Sequence, residues 1–320
     1  MSDSPLLQVS NLKIEFQTDR AKILAVDGID LALGKGKTLG LVGESGCGKS
    51  VTALAIMGLL PPHATVSGSI YYKDQDLLKL KKGEMNKIRG NQLSMIFQEP
   101  MTSLNPVFTV EYQMAEVLSL HKGQKRKAVR SKIIELLRLV GIPNPDRRMK
   151  DFPHRLSGGM RQRVMIAMAM ACEPDILIAD EPTTALDVTI QAQILDLMND
   201  LQNKLQTSLL MITHDLGVIA QVADDVVVMY AGHIMEYSPV KEIFADPLHP
   251  YTRGLLKTIP QIARKQDRLE EIKGTVPHMS KVPPGCRFND RCSERMPVCV
   301  EEVPPVKEIN GKTVRCWLYN

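Results

Sequence analysis

A glycine-rich loop that ends in lysine and serine lies early in the sequence, at "GESGCGKS". It follows the apolar run "TLGLV" and precedes the helix-like segment "SVTALAIMGLL". The N–H groups of such a loop and the positive end of the helix favour a phosphate group. We expect Lys49 to reach the β- and γ-phosphates and Ser50 to bind Mg²⁺. The predicted nucleotide-binding residues are Gly43, Glu44, Ser45, Gly46, Cys47, Gly48, Lys49, Ser50 and Val51.

Two adjacent carboxylates follow an apolar run at "ILIADEP". The run places Asp180 at the end of a buried strand, where its side chain can hold Mg²⁺. Hydrolysis of a phosphate also needs a group that activates water. Glu181 is the predicted general base. The loop cysteine, Cys47, is interpreted as a small filler rather than a nucleophile.

The elements that must position these residues alternate between short apolar strands and helices. This pattern predicts an α/β fold with a mostly parallel sheet covered by helices on both faces. The segments "LLQVSNLKIEF" and "ILAVDGIDLAL" predict half-exposed N-terminal strands. Between about 105 and 160 the pattern is helical, which predicts an inserted helical subdomain. Proline becomes frequent after about 240, so we divide the chain into a nucleotide-binding domain, 1–240, and a C-terminal region, 241–320.

Charge and hydropathy exclude several classes of protein. The net charge of +4 does not demand a nucleic-acid partner. The start "MSDSPLLQVS" lacks the features of a secretory signal. No apolar stretch reaches the roughly 18 residues that span a bilayer. We therefore expect a cytosolic protein whose contact with a membrane depends on other subunits.

Six motifs in one fixed order carry a family resemblance. They are the phosphate loop, "FQ" at Phe97–Gln98, "LSGGM" at Leu156–Met160, "ILIADEP", "ALD" at Ala185–Asp187 and "ITHD" at Ile212–Asp215. The set resembles that of the ATP-binding-cassette (ABC) ATPases. The resemblance implies an α/β core with a mixed sheet, flanking helices and antiparallel N-terminal strands. It also implies ATP and Mg²⁺ as ligands and ATP hydrolysis as the activity.

The resemblance also assigns roles to individual residues. The signature residues, which contact ATP held by a facing subunit, are Ser157, Gly158, Gly159 and Met160. Asp187 is expected at the dimer contact. The implied magnesium ligands are Ser50, Gln98 and Asp180, and the implied catalytic residues are Glu181, His214 and Gln98. Phe16 is the candidate for stacking on adenine, although the strand at 23–25, without an aromatic, is also near the expected position.

The C-terminal region narrows the resemblance to the oligopeptide/dipeptide permease ATPases, through "HPYTRGLLKTIP" and the cysteine-bearing tail. This implies an ATPase subunit that powers peptide import by dimer closure at the cytoplasmic face of the inner membrane. The implied partners are a second, different ATPase subunit, two membrane-spanning permease subunits and an external peptide-binding protein. Two alternatives stay open: an importer ATPase for nickel, glutathione or another solute, and a soluble ABC ATPase that acts on nucleic acid or ribosomes.

Four cysteines lie in this tail, at Cys286, Cys292, Cys299 and Cys316. A reducing compartment disfavours disulfides, and a Pro-rich segment with little core needs a staple. The close C-x₂-C pairs common in structural zinc sites are absent. Some peptide-permease ATPases carry a [4Fe–4S] cluster held by four thiolates, and the resemblance to them favours the same cluster here. Zinc and unligated or oxidised cysteines remain alternatives.

Overall fold

The computed structural model describes residues 4–18, 21–98, 103–123, 126–184, 186–258 and 272–320. Its strands are β1 Leu7–Gln17, β2 Lys22–Leu33, β3 Thr38–Val42, β4 Ala64–Tyr72, β5 Gln75–Asp76, β6 Leu93–Ile96, β7 Ile176–Asp180, β8 Ser208–Thr213, β9 Asp225–Tyr230, β10 His233–Pro239, β11 Val306–Ile309 and β12 Lys312–Arg315.

Its helices are α1 Lys49–Ile56, α2 Lys82–Ile88, α3 Val110–Lys122, α4 Arg126–Leu139, α5 Pro145–Arg148, α6 Gly158–Met170, α7 Val188–Leu205, α8 Leu216–Val222, α9 Val240–Ala245, α10 Pro250–Lys257 and α11 Val298–Glu301. Short 3₁₀ turns include Asn289–Arg291 and Trp317–Tyr319.

The chain forms two compact units, and the first comprises Met1–Gly34, Thr38–Lys79 and Met211–Asn320. One of its sheets is antiparallel, in the order β2-β1-β4-β5. Its other strands follow the order β11-β12-β10-β9-β3, in which β3 runs parallel to β9 and the remaining pairs are antiparallel. The N-terminal antiparallel strands and the mixed sheet were predicted correctly.

The C-terminal hairpin β11–β12 adds two strands to this mixed sheet, because β12 pairs with β10 through Glu236 and Tyr237. The sequence did not predict these strands. Trp317 follows the hairpin, and its indole Nε1 donates to the Glu302 carbonyl at 3.0 Å. The tail from 241 onward therefore lies in the same compact unit as the phosphate loop.

The second unit comprises Lys35–Lys37 and Leu80–Leu210. In it β6 pairs in parallel with β7, and the first half of β8 follows β7 in the strand order. Helix α7 is amphipathic, since Ile194, Met198 and Leu201 recur at helical spacing and are buried. The helices from α3 to α6 occupy the region predicted to be helical. Whether 105–160 is a separate inserted subdomain stays a prediction, as does the domain boundary at 240. Among the described residues, no helix is long and apolar enough to cross a membrane.

Candidate nucleotide-binding and hydrolysis site

The phosphate loop joins β3 to α1. All five residues of β3 are buried, and the loop needs glycine where it leaves the strand. A Cβ on Gly43 would lie 2.1 Å from the Met229 carbonyl oxygen. Gly48, which begins α1, has φ of 109°, in the left-handed region. The loop is therefore shaped by its glycines, as the motif predicted.

Lys49 is 5% exposed and lies inside the curve of the loop. Its Nζ donates to the carbonyl oxygens of Gly43 at 2.7 Å and Glu44 at 3.0 Å. Cys47 Sγ lies 3.6 Å from the same Nζ and is fully buried. Burial raises the pKa of the Cys47 thiol, so the group stays protonated and unreactive. This agrees with the interpretation of Cys47 as a filler.

The remaining candidates in this unit border the loop or β8. Ser50 and Val51 are half-buried in the first turn of α1. His214 is exposed directly after β8. The next residue, Asp215, begins α8, where its side chain accepts from the Gly217 N–H at 2.7 Å. Phe16 is half-buried opposite Ile23 of β2, so the two adenine candidates lie side by side.

The carboxylates lie in the second unit, at the end of β7, whose five residues are all buried. Asp180 is 3% exposed. Glu181 has φ of 48°, a left-handed conformation that is uncommon for a residue with a side chain. Its Oε2 accepts from Gln98 Nε2 at 3.2 Å and from Thr184 Oγ1 at 2.8 Å. The structure thus brings together two predicted residues, Gln98 and Glu181, and adds Thr184, for which the sequence offered no separate signal.

The signature segment begins helix α6. Ser157 is the N-cap, and its Oγ accepts from the Met160 N–H at 3.3 Å. Gly158 has open space where a Cβ would stand, whereas a Cβ on Gly159 would lie 3.0 Å from Ile190 Cγ2. Of these two glycines, only Gly159 is therefore required by the packing of the chain itself, because a side chain there would crowd Ile190.

Asp187, predicted at the dimer contact, has a local structural role as well. It is the N-cap of α7, and its Oδ1 accepts from the Ile190 N–H at 3.0 Å. Its neighbour Val188 is 84% exposed. The two roles are compatible, since a carboxylate has a second oxygen.

The four tail cysteines come from separate segments of the first unit. Cys286, Cys299 and Cys316 are buried, Cys292 is half-buried, and the Cys286 N–H donates to the Cys299 carbonyl at 2.8 Å. Burial raises the pKa of Cys286 to about 12. Within the described ranges, however, no group of three or more His, Cys, Asp or Glu side chains could hold a metal ion, so the predicted metal centre is not confirmed.

Comparison with known proteins shows which class of protein has this fold and these motifs. The "ABC transporter" family model matches residues 26–184. A solved dimeric ABC transporter cassette, MJ0796, is 26% identical, with a TM-score of 0.66 over 73% of this chain and 98% of that one. CbiO1 of Clostridium perfringens, part of an ABC transporter complex, is also 26% identical, with a TM-score of 0.64 over 76% and 92%. The fold and the motif residues are those of an ABC transporter ATPase.

A narrower match concerns the C-terminal region. The family model "Oligopeptide/dipeptide transporter, C-terminal region" matches residues 235–299. The oligopeptide transport ATP-binding protein AppD of Bacillus subtilis is 54% identical over 99% of this chain and 97% of its own length. The dipeptide transport ATP-binding protein DppD of the same organism is 53% identical over 98% and 94%. OppD of Haemophilus influenzae is 48% identical over 98% of each. The chain belongs to the oligopeptide/dipeptide family of ABC transporter ATP-binding proteins.

Proposed function

We propose that this chain is the ATP-hydrolysing subunit of an ABC importer for di- or oligopeptides. The observation that carries the proposal is the combination of a formed phosphate loop with a Gln98–Glu181 pair at the end of a buried strand. Relatives whose names state oligopeptide or dipeptide transport align over nearly the whole chain.

The roles follow from the chemistry of each side chain. Lys49 and the loop N–H groups bind the phosphates of ATP. Ser50, Gln98 and Asp180 are the residues that would hold Mg²⁺, which would supply positive charge to the phosphates. Glu181 accepts a proton from the attacking water, while Gln98 and Thr184 hold its carboxylate in one orientation. His214 contacts the γ-phosphate.

A second ATPase subunit completes each site in this proposal. The signature residues of one subunit contact the ATP of the other. Support comes from MJ0796, which was solved as a dimer, including a post-hydrolysis state bound to ADP and Pi. In the cell the second subunit is a different ATPase chain, and both subunits are peripheral proteins on the cytoplasmic face of the membrane. An external peptide-binding protein delivers the solute.

The proposed surface for the permease subunits lies near Gln98 and the segment 101–110, of which 101–102 are outside the described residues. Apolar side chains are exposed here: Phe97 by 44%, Val107 by 68% and Tyr112 by 54%. The ring of Tyr112 stacks on Phe108, with centroids 4.4 Å apart. Exposed apolar groups of this size are typical of an interface.

We also propose the four tail cysteines as the thiolate ligands of a [4Fe–4S] cluster, with zinc as the alternative. The burial of three of the four side chains and the hydrogen bond from the Cys286 N–H to the Cys299 carbonyl at 2.8 Å support the proposal. Bound there, the cluster would staple the tail rather than transfer electrons. Anaerobically purified protein should be brown and contain about four irons per chain. A colourless preparation with one zinc per chain would support the alternative.

Co-expression with two permease subunits tests the import function. Proteoliposomes that contain the complex, ATP inside and a peptide-binding protein outside should accumulate a labelled dipeptide. Nickel and glutathione, supplied in parallel, test the importer alternative. Uptake of neither peptide nor these solutes, together with tight and salt-sensitive binding of RNA, would favour the nucleic-acid alternative.

A further inference from the structure

Glu44, the second residue of the phosphate loop, is held by the C-terminal region. Its carboxylate accepts from Arg291 Nη1 at 2.8 Å (Oε1) and 3.1 Å (Oε2). Its backbone N–H donates to the Tyr251 hydroxyl at 3.0 Å. Its carbonyl accepts from Lys49 inside the loop at 3.0 Å. Two of its three polar groups are therefore bound by residues more than 200 positions away in the chain.

Arg291 is held in place on every side. Its side chain is 6% exposed, and Nε and Nη2 donate to the carbonyls of Lys273 and Ile272 at 3.0 and 3.1 Å. Nη1 also lies 3.3 Å from the Tyr230 hydroxyl, and the guanidinium is 5.7 Å from the centre of that ring. A guanidinium fixed in this way holds its carboxylate partner in one position.

Tyr251 belongs to an aromatic cluster behind the loop. Its ring is fully buried. It packs edge-on against Tyr230, with centroids 4.7 Å apart, and at a tilt against Phe288, with centroids 5.2 Å apart. Phe288 lies between the first two tail cysteines in sequence, in "CRFNDRC". The cluster therefore joins the loop to the cysteine-bearing segment by packing, independently of the ion pair.

A second arginine of the same segment is bound at another point. Arg287 Nη2 donates to Asp27 Oδ2 at 2.7 Å, and Nη1 donates to the Ala231 carbonyl. Arg287 is 6% exposed. Residues 286–292, which we name the clamp segment, thus bind both the phosphate loop and the turn that precedes β10.

The charge of Glu44 explains why the pairing matters. A carboxylate in a loop that binds a triphosphate repels the ligand unless a cation neutralises it. Arg291 supplies that cation, and because its side chain is buried the pair is little screened by solvent. Without Arg291 the loop would carry an uncompensated negative charge beside its anion.

We propose that Arg291 is a positioning residue of the nucleotide site, acting through Glu44, so that the C-terminal region sets ATP affinity. The proposal rests on the proposed function, because it assumes that the loop binds ATP. It assigns the family's C-terminal region a role inside its own subunit. In this proposal Arg291 acts through Glu44 and not on the reacting atoms, so the turnover number at saturating ATP should change little.

The experiment is a double-mutant cycle in the full chain, with ATP binding measured by calorimetry. Arg291→Gln should weaken ATP binding on the order of tenfold, by leaving Glu44 unpaired. Arg291→Gln combined with Glu44→Gln should recover most of the affinity, because the uncompensated charge is gone. Arg291→Lys keeps the positive charge and should therefore retain most of the affinity for ATP. Arg295→Gln is the matched control: this arginine is in the same tail, 45% exposed and 3.7 Å from Asp290.

Four outcomes decide the question. If Arg291→Gln binds ATP as tightly as the control Arg295→Gln does, the proposal is overturned. Equal weakening in the single and double variants would also overturn it, because a merely unfolded tail would not be rescued at Glu44. A wild-type chain that does not bind ATP would instead overturn the proposed function. A raised KM with an unchanged kcat in Arg291→Gln would support the positioning role.

Discussion

The Gln98 side-chain amide donates a hydrogen bond to the Glu181 carboxylate, with 3.2 Å between Nε2 and Oε2. The Thr184 hydroxyl donates to the same oxygen at 2.8 Å. An oxygen that receives two donors is fixed in direction. Two side chains therefore orient the proposed base before any water arrives.

Glu181→Gln should nearly abolish ATP turnover while ATP binding is kept. The amide has the shape of the carboxylate but cannot accept the proton, and loss of a general base lowers rates by about 10²–10⁴-fold. Steady-state phosphate release and calorimetric ATP binding measure the two effects. Glu173→Gln is the control, since that carboxylate is exposed and pairs with Lys132 on the surface, at 3.3 Å. Normal turnover in Glu181→Gln would remove Glu181 from the role of base.

Asp187→Asn should distinguish the two roles of Asp187, as the N-cap of α7 and as a contact in the dimer. Asparagine is as good an N-cap as aspartate, so the stability should stay close to wild type. Asp187→Ala should cost about 1 kcal/mol, because the bond to the Ile190 N–H is lost. If the charge also serves the dimer, Asp187→Asn lowers ATPase activity without lowering stability. Urea unfolding and an ATPase assay of both variants measure this, and full activity in the Asn variant would contradict the dimer role.

Gly158→Ala should fold normally and yet lose ATPase activity. A Cβ at this position meets nothing within 4 Å in the chain, so the stability should change by less than about 1 kcal/mol. A methyl group on the signature segment would obstruct the ATP of the facing subunit. Gly83→Ala in α2 is the matched control, because its Cβ also meets open space. Equal ATPase activity in both variants would argue against a close approach at Gly158.

The buried ring of His249 should make the stability sensitive to acid. Its Nδ1 accepts from the Tyr251 N–H at 3.0 Å, and burial, with Arg253 as a lesser cause, lowers the pKa of His249 to about 3. The unfolded chain, with a histidine pKa of about 6.5, takes up the proton first. This contribution to stability is therefore complete above about pH 6.5 and is lost as the pH falls toward about 3.

His249→Asn isolates this effect, because asparagine can still cap α10 but does not titrate in this range. Between about pH 7 and pH 5 the wild type should lose about 2 kcal/mol more than the variant. Urea unfolding at the two pH values measures the difference. The same loss in both proteins would show that His249 is not the titrating group.

The phosphate loop and β7 could be predicted because their signals are local. Glycines, an apolar run and a following helix lie within a few residues of one another, and the physics of phosphate binding acts at that range. The contact of Arg291 with Glu44 could not be predicted, since 247 positions separate the two residues. The bond of Tyr251 to the loop could not be predicted either, because it depends on tertiary structure. The hairpin β11–β12 was missed because its short strands are mostly exposed or polar.

Trp317 is an intrinsic fluorescent probe of the C-terminal tail. It is the sole tryptophan of the sequence, and it follows Cys316 in the 3₁₀ turn after the hairpin. Tryptophan fluorescence therefore arises only from the C-terminal region, and none of it comes from the ATP-binding residues. A change in emission on addition of ATP would report that the nucleotide is sensed at the far end of the chain. A quencher bound by the neighbouring thiols would dim the same signal.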